Sequence, residues 1–531
     1  MTMDCAMDPA IPSGSPGNDG EALCAVWMNY FDAGLKCGRP LHNAPAGADS
    51  VPVCLMHSND PGKQSGPLFA EFWKQFEIIL GDSGVGPAHC ERFVFPRVDL
   101  RGRTINAFCQ FVKATFTQEA DLSGATFTQD PQFSGATFVK RAVFSKTNFP
   151  KGATFSSATF TDVANFREAN FDGTGYFLLT TFVQDAYFRE TNFNRDVLFL
   201  GANFSMTADF YKAVFTGDSS FTGANFMKKA NFVETTFLQT STWRGAQFLE
   251  DAEFQRTKFS PAIAGQPGAI FALSAFAKPG SIIFDDVDLS RALFHNCLVS
   301  EVWFTSSVRW GTRHRDRRGN LGAMVFEEVI ALDQEYGKDL QRDGERDYRA
   351  IAQIYQQLKK NYDARLDYWT GNEFHFGEME MQRLSRTPKG RLSRARRWAY
   401  RHFSLVALYR WASDYGNSYW KPMIWLLGVI VLFAALYPLP YVGLEHGAPH
   451  YTETYASVWT WAGSSVGNRM FHEVGLFLKS ALAALDTATF QKSPEYSPAY
   501  PWGRSLAIAE TLLTSTLFAL FLLAIRRQFR R

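Results

Sequence analysis

Residues 133–171 read FSGATFVKRAVFSKTNFPKGATFSSATFTDVANFREANF, and the spacing of their phenylalanines decides the fold. The steps between these phenylalanines alternate between five and six residues. The alternation runs without a slip from Phe111 to Phe259, and 26 of the 28 positions in this ladder are Phe, the exceptions being Leu122 and Trp243. A fixed internal period is typical of repeat architectures.

A small residue stands two positions before each ladder residue, and it is Ala at 17 of the 28 positions. In an extended backbone, residues two apart point to the same side, so each unit offers one large and one small inward group. A helix cannot keep steps of five and six on one face, and a straight strand would run past the Ser-Gly and Asp/Asn turn positions between ladder residues. The pattern therefore predicts a coil that turns a corner at every unit.

The stretches FSGATF (133–138), ANFREANF (164–171) and GANF (201–204) resemble the pentapeptide-repeat family, whose unit is A-x-[FL]-x-x. The resemblance implies a mainly β fold, a right-handed quadrilateral β-helix with four units per coil. The ladder would then form about seven coils, roughly 34 Å long at about 4.8 Å per strand. A second run in strict fives from Phe284 to Phe304 adds about one coil. The extra residue in alternate units predicts a bulge at two of the four corners.

The ladder and its flanks divide the chain into regions. Residues 61–107, with a helix over Ala70–Leu80 that stops at Gly81, are expected to cap the solenoid. Residues 324–383 are helical in pattern and resemble a helical hairpin that accompanies membrane-anchored pentapeptide proteins. The predicted division is 1–60, a zinc-binding N-terminal segment; 61–107, the cap; 108–310, the β-helix with a loop insertion at 260–280; 324–383, the helical region; 384–421, a basic juxtamembrane segment; and 422–531, a two-transmembrane domain.

Two apolar segments near the end of the chain are each long enough to cross a hydrocarbon core of about 30 Å. Pro422–Leu444 has 23 residues and no charge, and Ser505–Ile525 has 21 residues with Glu510 as its one charge. A buried helix of a soluble domain is the alternative for the second segment. Glu510 lies near the start of that segment, where a carboxylate at headgroup level costs little free energy.

The distribution of Lys and Arg predicts the topology. Ten basic residues and one acidic residue lie between Arg383 and Lys421, and four Arg follow the second apolar segment. We therefore expect a multi-pass protein of the bacterial inner membrane with both termini in the cytoplasm. The aromatic residues among these Arg suit either an amphipathic helix at the membrane surface or a solvated basic linker.

The order of outer helix, short helix, polar turn and inner helix resembles the two-transmembrane pore module of potassium-channel-like proteins. The short re-entrant-like helix is expected at 474–490. A TVGYG filter is absent, and Asp486–Phe490 stands in its place. Since backbone carbonyls of such a filter replace the hydration shell of the ion, a degenerate pore remains an alternative to a conducting one.

Cys24, Cys37, Cys54 and His57 form the pattern C-x12-C-x16-C-x2-H. Three thiolates and an imidazole suit tetrahedral zinc, and four protein ligands would make the site structural. The alternative is reduced thiols without a metal. Seven cysteines and an N-terminus without a secretory profile agree with a cytoplasmic location for the bulk of the chain.

The sequence contains no nucleotide-binding, hydrolase or metalloprotease signature in a fitting context, so we expect no enzyme and no cofactor besides zinc. The leading hypothesis is a membrane-anchored scaffold that binds a protein partner on the solenoid faces. The alternative is a channel-like or sensor protein, tetrameric if it forms a pore. A DNA mimic that binds gyrase is a third hypothesis. Residues 111–259 carry 14 basic and 15 acidic side chains, which argues against a DNA mimic and against nucleic-acid binding.

Overall fold

A computed structural model describes residues 23–26, 28, 36–261, 263, 265–315, 319–332, 347–386, 398–399, 402–439, 442, 444–446, 451–455, 466–489, 496–498 and 501–528. The chain divides into two units, Met1–Arg346 and Asp347–Arg531. The first unit contains a parallel β-solenoid of about ten turns, and the second contains helices.

Each turn of the solenoid passes through four parallel sheets in order, called here faces 1 to 4. Face 1 contains Val94–Phe95, Thr115–Phe116, Thr137–Phe138, Thr159–Phe160, Thr181–Phe182, Asn203–Phe204, Asn225–Phe226, Gln247–Phe248 and Ala275–Phe276. Face 2 contains Val98–Asp99, Ala120–Asp121, Ala142–Val143, Ala164–Asn165, Ala186–Tyr187, Ala208–Asp209, Ala230–Asn231, Ala252–Gln255, Ile282–Asp285 and Trp303–Phe304.

Faces 3 and 4 complete each turn. Face 3 contains Thr104–Ile105, Thr126–Phe127, Asn148–Phe149, Asn170–Phe171, Asn192–Phe193, Val214–Phe215, Thr236–Phe237 and Lys258–Phe259. Face 4 contains Pro87–His89, Phe108–Gln110, Ala153–Thr154, Gly175–Tyr176, Val197–Leu198, Ser219–Ser220, Ser241–Thr242, Ala269–Ile270 and Ala292–Leu293. Single bridges from Gln110 to Gln132 and from Gln132 to Thr154 join the first two strands of face 4 to the rest.

Neighbouring strands pair across one full turn of 22 residues, as Phe160 does with Phe182. Ladder residues therefore lie directly above one another in four stacks inside the solenoid. Phe188 is stacked on Phe166 and on Phe210, each with a centroid distance of 4.9 Å and an angle of 4° between the rings. It meets Phe199 of another stack edge to face at 5.4 Å and 85°. The ladder from Phe111 to Phe259 is buried throughout, which confirms the predicted inward orientation.

The small positions two before the ladder residues are also buried, and five of them are Thr instead of Ala. Each of these Thr hydroxyls donates a hydrogen bond of 2.7–2.8 Å to the carbonyl oxygen of a ladder residue 25 positions earlier. The five donors are Thr147, Thr180, Thr191, Thr235 and Thr257. A buried hydroxyl group is tolerated at these positions because each one donates a hydrogen bond to a carbonyl oxygen.

The corners between the faces alternate between two kinds. Each five-residue step contains one residue with a positive φ, so such residues recur at every eleventh position. Examples are Gly135 at 66°, Lys146 at 59° and Glu168 at 55°. In the six-residue steps the extra residue lies in an open bend. Lys146 and Glu168 occupy equivalent corners one turn apart and form an exposed ion pair of 3.5 Å. Such exposed pairs contribute at most about 1 kcal/mol, so the corners do not determine the stability.

The solenoid extends beyond the predicted seven coils plus one. Leu100 and Ile105 continue the ladder with aliphatic side chains, and strands of all four faces already lie within the segment predicted as the cap. Within the predicted loop insertion 260–280, Phe271 is stacked on Trp243 at 5.8 Å, and strands of faces 1 and 4 pair with the solenoid. The stretch outside the sheets is 260–268. Nine intervals of about 4.8 Å in face 2 make the stack about 43 Å long.

Helix α1 (Gly66–Ser83) covers the first turn of the solenoid. Its Phe72 and Phe76 meet the ring of Phe95 edge to face at 5.5 and 5.3 Å. The predicted helix over Ala70–Leu80 is confirmed, but it continues past Gly81 and is capped by Gly84, whose φ is 54°. The aromatic face of α1 closes the stack, as the ends of a repeat protein require.

The last turn of the solenoid is covered by a hairpin, Gly311–Arg315 and Gly319–Met324, and by helix α2 (Phe326–Leu332). Trp310 packs on Phe304 at 5.3 Å. Glu327 is buried and accepts a hydrogen bond from the backbone N–H of Phe294. Its other oxygen, Oε2, has no partner among the described residues.

The second unit contains six helices in its described part. They are α3 (Tyr348–Ala364), α4 (Tyr368–Ser385), α5 (Leu405–Ser413), α6 (Trp420–Leu436), α7 (Val466–Ala488) and α8 (Pro501–Gln528). Leu444–His446, Tyr451–Glu453 and Tyr496–Pro498 form a small antiparallel sheet. Helices α3 and α4 form the predicted hairpin, in which Gly377 faces the ring of Tyr355. A Cβ at Gly377 would lie 2.4 Å from that ring, so the close approach requires glycine.

Charged side chains join the hairpin to α5 and to the turn that follows it. Glu380 on α4 accepts hydrogen bonds from Arg410 Nη1 at 3.0 Å and from the hydroxyl of Tyr415 at 2.9 Å. Arg527, in the last turn of α8, donates to the carbonyl oxygen of Tyr415 at 2.8 Å. The buried ring of Tyr415 therefore connects α4 to the end of α8.

Among the described residues, one helix is long and apolar enough to cross a membrane, Pro501–Arg527 in α8. Helix α6 is apolar but has 17 residues and ends at Leu436, because Pro438 and Pro440 follow. The described residues thus contain one clear candidate for a span, and the second span remains a prediction. Helix α7 is longer than the predicted 474–490. Residues 387–397 of the basic segment and Phe490 lie outside the described residues.

We expect Phe188→Asp to lower the free energy of unfolding of the solenoid by at least about 3–5 kcal/mol, because it places an unpaired carboxylate between two stacked rings. Met206→Asp, at a partly exposed site, should change stability by less than about 0.5 kcal/mol. Thermal unfolding followed by circular dichroism measures both. Equal melting temperatures for the two variants would contradict the stacked core.

Burial raises the pKa of Glu327 from 4.5 to about 7. The folded protein therefore binds this proton more tightly than the unfolded chain does. The contribution of protonated Glu327 to the free energy of unfolding is complete below pH 4.5 and is lost as the pH rises through 7. Between pH 4 and 8 the free energy of unfolding should fall by roughly 3 kcal/mol more in the wild type than in Glu327→Gln. Urea unfolding at several pH values measures this. The exposed Glu301→Gln is the control, and parallel curves for wild type and Glu327→Gln would contradict the prediction.

Candidate metal centre

The four predicted ligands come together in the first unit. Cys24 and Cys37 lie on two antiparallel segments, joined by hydrogen bonds from Cys24 N to Arg39 O at 2.8 Å and from Cys37 N to Val26 O at 2.9 Å. Cys54 and His57 lie in one tight turn, closed by a bond of 3.1 Å from His57 N to Cys54 O. All four ligand atoms lie within 4.8 Å of one another.

The distances between the ligand atoms fit a tetrahedron around one ion. With Zn–S near 2.3 Å and Zn–N near 2.0 Å, the edges of such a tetrahedron are about 3.8 Å between sulfurs and about 3.5 Å between sulfur and nitrogen. Cys37 Sγ and Cys54 Sγ are 3.6 Å apart, and His57 Nδ1 is 3.5 Å from Cys24 Sγ and 3.2 Å from Cys54 Sγ. The cluster can therefore hold a metal ion of this size without rearrangement.

The orientation of the His57 ring is fixed by its second nitrogen. Nε2 lies 3.1 Å from the carbonyl oxygen of Glu91, which only accepts, so Nε2 carries the proton and Nδ1 presents its lone pair to the sulfurs. Phe93 contacts the same ring edge to face at 5.0 Å. An outer hydrogen bond of this kind is usual for a metal-bound histidine.

Charge in the cluster also favours a cation. The neighbouring thiols Cys37 and Cys54 lower the pKa of Cys24, whereas the proximity of Cys24 and Cys37 raises the pKa of Cys54. Without a cation, ionisation of one thiol thus suppresses ionisation of the next. Burial alone would lower the pKa of His57, but its hydrogen bonds with the sulfurs raise it to about 9. A divalent cation would release these constraints and let all three thiols ionise.

The cluster is tied to the first turn of the solenoid. The backbone N–H of Val94, in the edge strand of face 1, donates to the carbonyl oxygen of Met56 at 2.8 Å. The ammonium group of Lys63, fully buried, donates to the carbonyl oxygens of Val94 at 2.6 Å and Ser58 at 2.8 Å. These contacts satisfy both polar groups of Val94 at the open edge of the sheet.

Sequence reasoning found the four ligands but not the residues that support them. Lys63, the Glu91 carbonyl, and Arg39, whose Nη1 lies 3.6 Å from Cys37 Sγ, carry no pattern that would have identified them. The remaining described cysteines Cys90, Cys109 and Cys297 are buried outside the cluster. Burial raises the pKa of Cys109 and Cys297 to about 12, so both stay thiols.

Part of the solenoid matches a known protein family. Residues 111–159, 155–202, 179–224 and 199–241 match the family described as Pentapeptide repeats (9 copies). No curated protein and no solved structure matches the chain. The matched residues coincide with the turns whose ladder keeps the alternation of five and six. Residues 111–241 are therefore pentapeptide repeats, and they form the central turns of a parallel β-solenoid.

Proposed function

We propose that the protein is a membrane-anchored scaffold, in which α8 inserts in the bilayer and the pentapeptide-repeat solenoid presents its polar faces to a protein partner. The apolar helix Pro501–Arg527 is the observation that carries the proposal. Its side chains Leu512, Leu513, Phe518, Leu522 and Leu523 are about half exposed or more. In water such a surface would be an aggregation hazard, whereas lipid tails cover it without cost.

The proposed orientation places the C-terminal end of α8 in the cytoplasm. Arg526 and Arg527 occupy the last turn of the helix, and Arg410 and Lys421 lie in the basic segment before α6. This distribution agrees with the positive-inside rule for a bacterial inner-membrane protein. A second span by α6 would bring both termini to the same side, as predicted.

The solenoid suits a scaffold because the phenylalanines of its ladder are all buried in the core and its outward positions are mainly polar. Exposed ion pairs between equivalent positions one turn apart, such as Lys212–Glu234 at 3.6 Å, balance the charge of the surface. A DNA mimic needs a strongly negative surface, so the proposed partner is a protein and not a nucleic acid. The proposal assigns no catalytic step to the chain.

We expect Leu512→Arg with Leu513→Arg to release the full-length protein from membranes, because each Arg at the centre of a span costs about 2.5–3.5 kcal/mol. Leu179→Arg with Leu249→Arg, at exposed solenoid positions, is the matched control and should leave the protein in the membrane fraction. Sedimentation after a high-salt wash measures both. A wild-type protein that stays in the supernatant would overturn the anchor.

A channel-like or sensor protein is the second candidate, and the exposed apolar stripe of α7 favours it. Met470, Phe471, Val474, Leu478 and Leu482 are all more than half exposed, although α7 is too polar to count as a span. A tetramer with α7 as a re-entrant helix would cover this stripe. Mass measurement in detergent and ion flux in vesicles discriminate the candidates, because a monomer without flux excludes the pore.

We further propose that the Cys24, Cys37, Cys54 and His57 cluster binds structural zinc. The four protein ligands would fill a tetrahedral shell and leave no position for a substrate. The role that the contacts support is to hold the N-terminal segment against the edge strand Val94–Phe95 of face 1. Reduced thiols without a metal are the alternative.

Metal analysis of the full-length protein should find one zinc per chain, and Cys54→Ser should lose it, because apparent zinc-binding free energies of about 10–16 kcal/mol depend on the complete ligand set. Cys109→Ala, at a buried cysteine outside the cluster, is the control and should keep the metal. Cobalt substitution should give the absorption of a tetrahedral thiolate complex in the wild type only. A wild type purified under reducing conditions without bound metal would contradict the zinc site.

A further inference from the structure

One carboxyl group lies inside the bundle formed by α6, α7 and α8. The centre of this bundle is apolar and contains Phe433, Ala434, Tyr437, Ala483 and Ala484. Glu510 on α8 has 0% of its side chain exposed. The sequence predicted this carboxylate at headgroup level near the start of the span. In the structure, protein surrounds it on all sides, so neither water nor headgroups solvate it.

Only one oxygen of this carboxyl group has a hydrogen-bond partner. The hydroxyl of Tyr437, at the end of α6, donates to Glu510 Oε2 at 2.5 Å. Glu510 Oε1 has no partner among the described residues. An unpartnered oxygen in an apolar interior is costly, and more so if the group is charged, so the arrangement favours the neutral carboxyl group over the carboxylate.

A short polar row leads from the surface to Glu510. The side chain of Thr487, on α7, lies near the Tyr437 hydroxyl, and its own hydroxyl donates to the carbonyl oxygen of Ala483 at 2.8 Å. Thr487 is partly exposed, whereas Tyr437 is buried, so the row runs inward from the end of α7. That end of the bundle adjoins the connection between α7 and α8, opposite the Arg526 and Arg527 end of α8.

The groups that face Glu510 supply no positive charge. From α6 it faces Tyr437, and from α7 the facing polar group of the row is Thr487. On α8 itself, the hydroxyl of Thr514 donates to the backbone carbonyl of Glu510 and not to its carboxylate. No Lys, Arg or His among the described residues acts on the carboxylate. An isolated ionised carboxylate would pay a desolvation cost that these dipoles cannot offset.

We propose that Glu510 is a proton-binding site, reached through Thr487 and Tyr437 from the side of the bundle that carries the α7–α8 connection. In the binding step, Tyr437 passes its hydroxyl proton to Glu510 Oε2 and takes another proton from the Thr487 side. The carboxylate becomes a neutral carboxyl group, the Tyr437 hydroxyl is restored, and one proton leaves the aqueous phase. The proposal deepens the proposed function, since it rests on α8 being the membrane anchor.

Proton binding at Glu510 would control how tightly α7 packs between α6 and α8. The neutral carboxyl group fits the apolar interior beside Ala483 and Ala484. The ionised form would draw water into the bundle while it keeps the hydrogen bond from Tyr437, which a charged acceptor strengthens. The site therefore gives the membrane unit a means of responding to the pH on one side of the bilayer.

Infrared spectroscopy of the full-length protein in lipid vesicles tests the site directly. All proteins compared carry Glu327→Gln, which removes the buried carboxyl group of the solenoid whose pKa is also raised to about 7. In this background we expect a carbonyl band of a protonated carboxyl group at neutral pH that is absent when Glu510→Gln, a nearly isosteric change, is added. Glu473→Gln, on α7 outside the polar row, should keep the band. In Tyr437→Phe, the deuterium shift of the band after transfer to D2O should slow by at least about tenfold, because a relay group is missing.

Two results would overturn the proposal. One is a band that persists when Glu510→Gln is added or is missing from the folded protein that keeps Glu510. The other is a carboxylate signal that depends on sodium or potassium, which would mean that a metal cation and not a proton neutralises Glu510. The infrared measurement can be repeated in detergent, so a protein that fails to sediment with membranes would refute the anchor without deciding the proton site.

Discussion

The structure of the first unit depends on a coincidence of two distances. Parallel strands repeat at about 4.8 Å, and phenyl rings stack in an offset arrangement at nearly the same separation. A phenylalanine at the same place in every turn can therefore contact the rings above and below without bending the backbone, as Phe188 does at 4.9 Å on both sides. Trp243 departs from this match, with 4.1 Å to Phe221 and 5.8 Å to Phe271, at the turn where the insertion 260–268 interrupts the period.

A stack of this kind is stable only if its ends are closed, because the terminal rings and edge strands would otherwise face water. At the first turn, α1 supplies aromatic edges to Phe95, and the Met56 carbonyl and the Lys63 ammonium group satisfy the backbone of Val94. At the last turn, Glu327 accepts from Phe294 and Trp310 covers Phe304. The caps thus place buried ionisable groups against the terminal turns, and the titration of Glu327 belongs to a cap for this reason.

The sequence predicted the interior of the solenoid better than its ends. The period was visible because one residue type, Phe, fills the ladder, and the turns at Leu100 and Ile105 were missed because aliphatic residues replace it there. Phe271 was assigned to a loop because the insertion shifts its spacing. The four metal ligands were predictable because Cys and His have few other roles in such a pattern. Lys63 and the carbonyl of Glu91 were not, because their roles arise from contacts between segments distant in the sequence.

The environment of Glu510 shows the same limit in the second unit. Its position along α8 is plain from the sequence, but the direction in which it points depends on how α6 and α7 pack, which no local pattern encodes. An anchor requires only apolar length, and leucine at this position would pack in the bundle without the cost of a buried carboxyl group. The structure nevertheless has a buried carboxyl group at this position. The hydroxyl of Tyr437 donates to one of its oxygens, and Thr487 of the third helix lies near that hydroxyl. A bundle that served for attachment alone would gain nothing from this arrangement, so the buried carboxyl group supports the proposed proton site as a role beyond the proposed anchor.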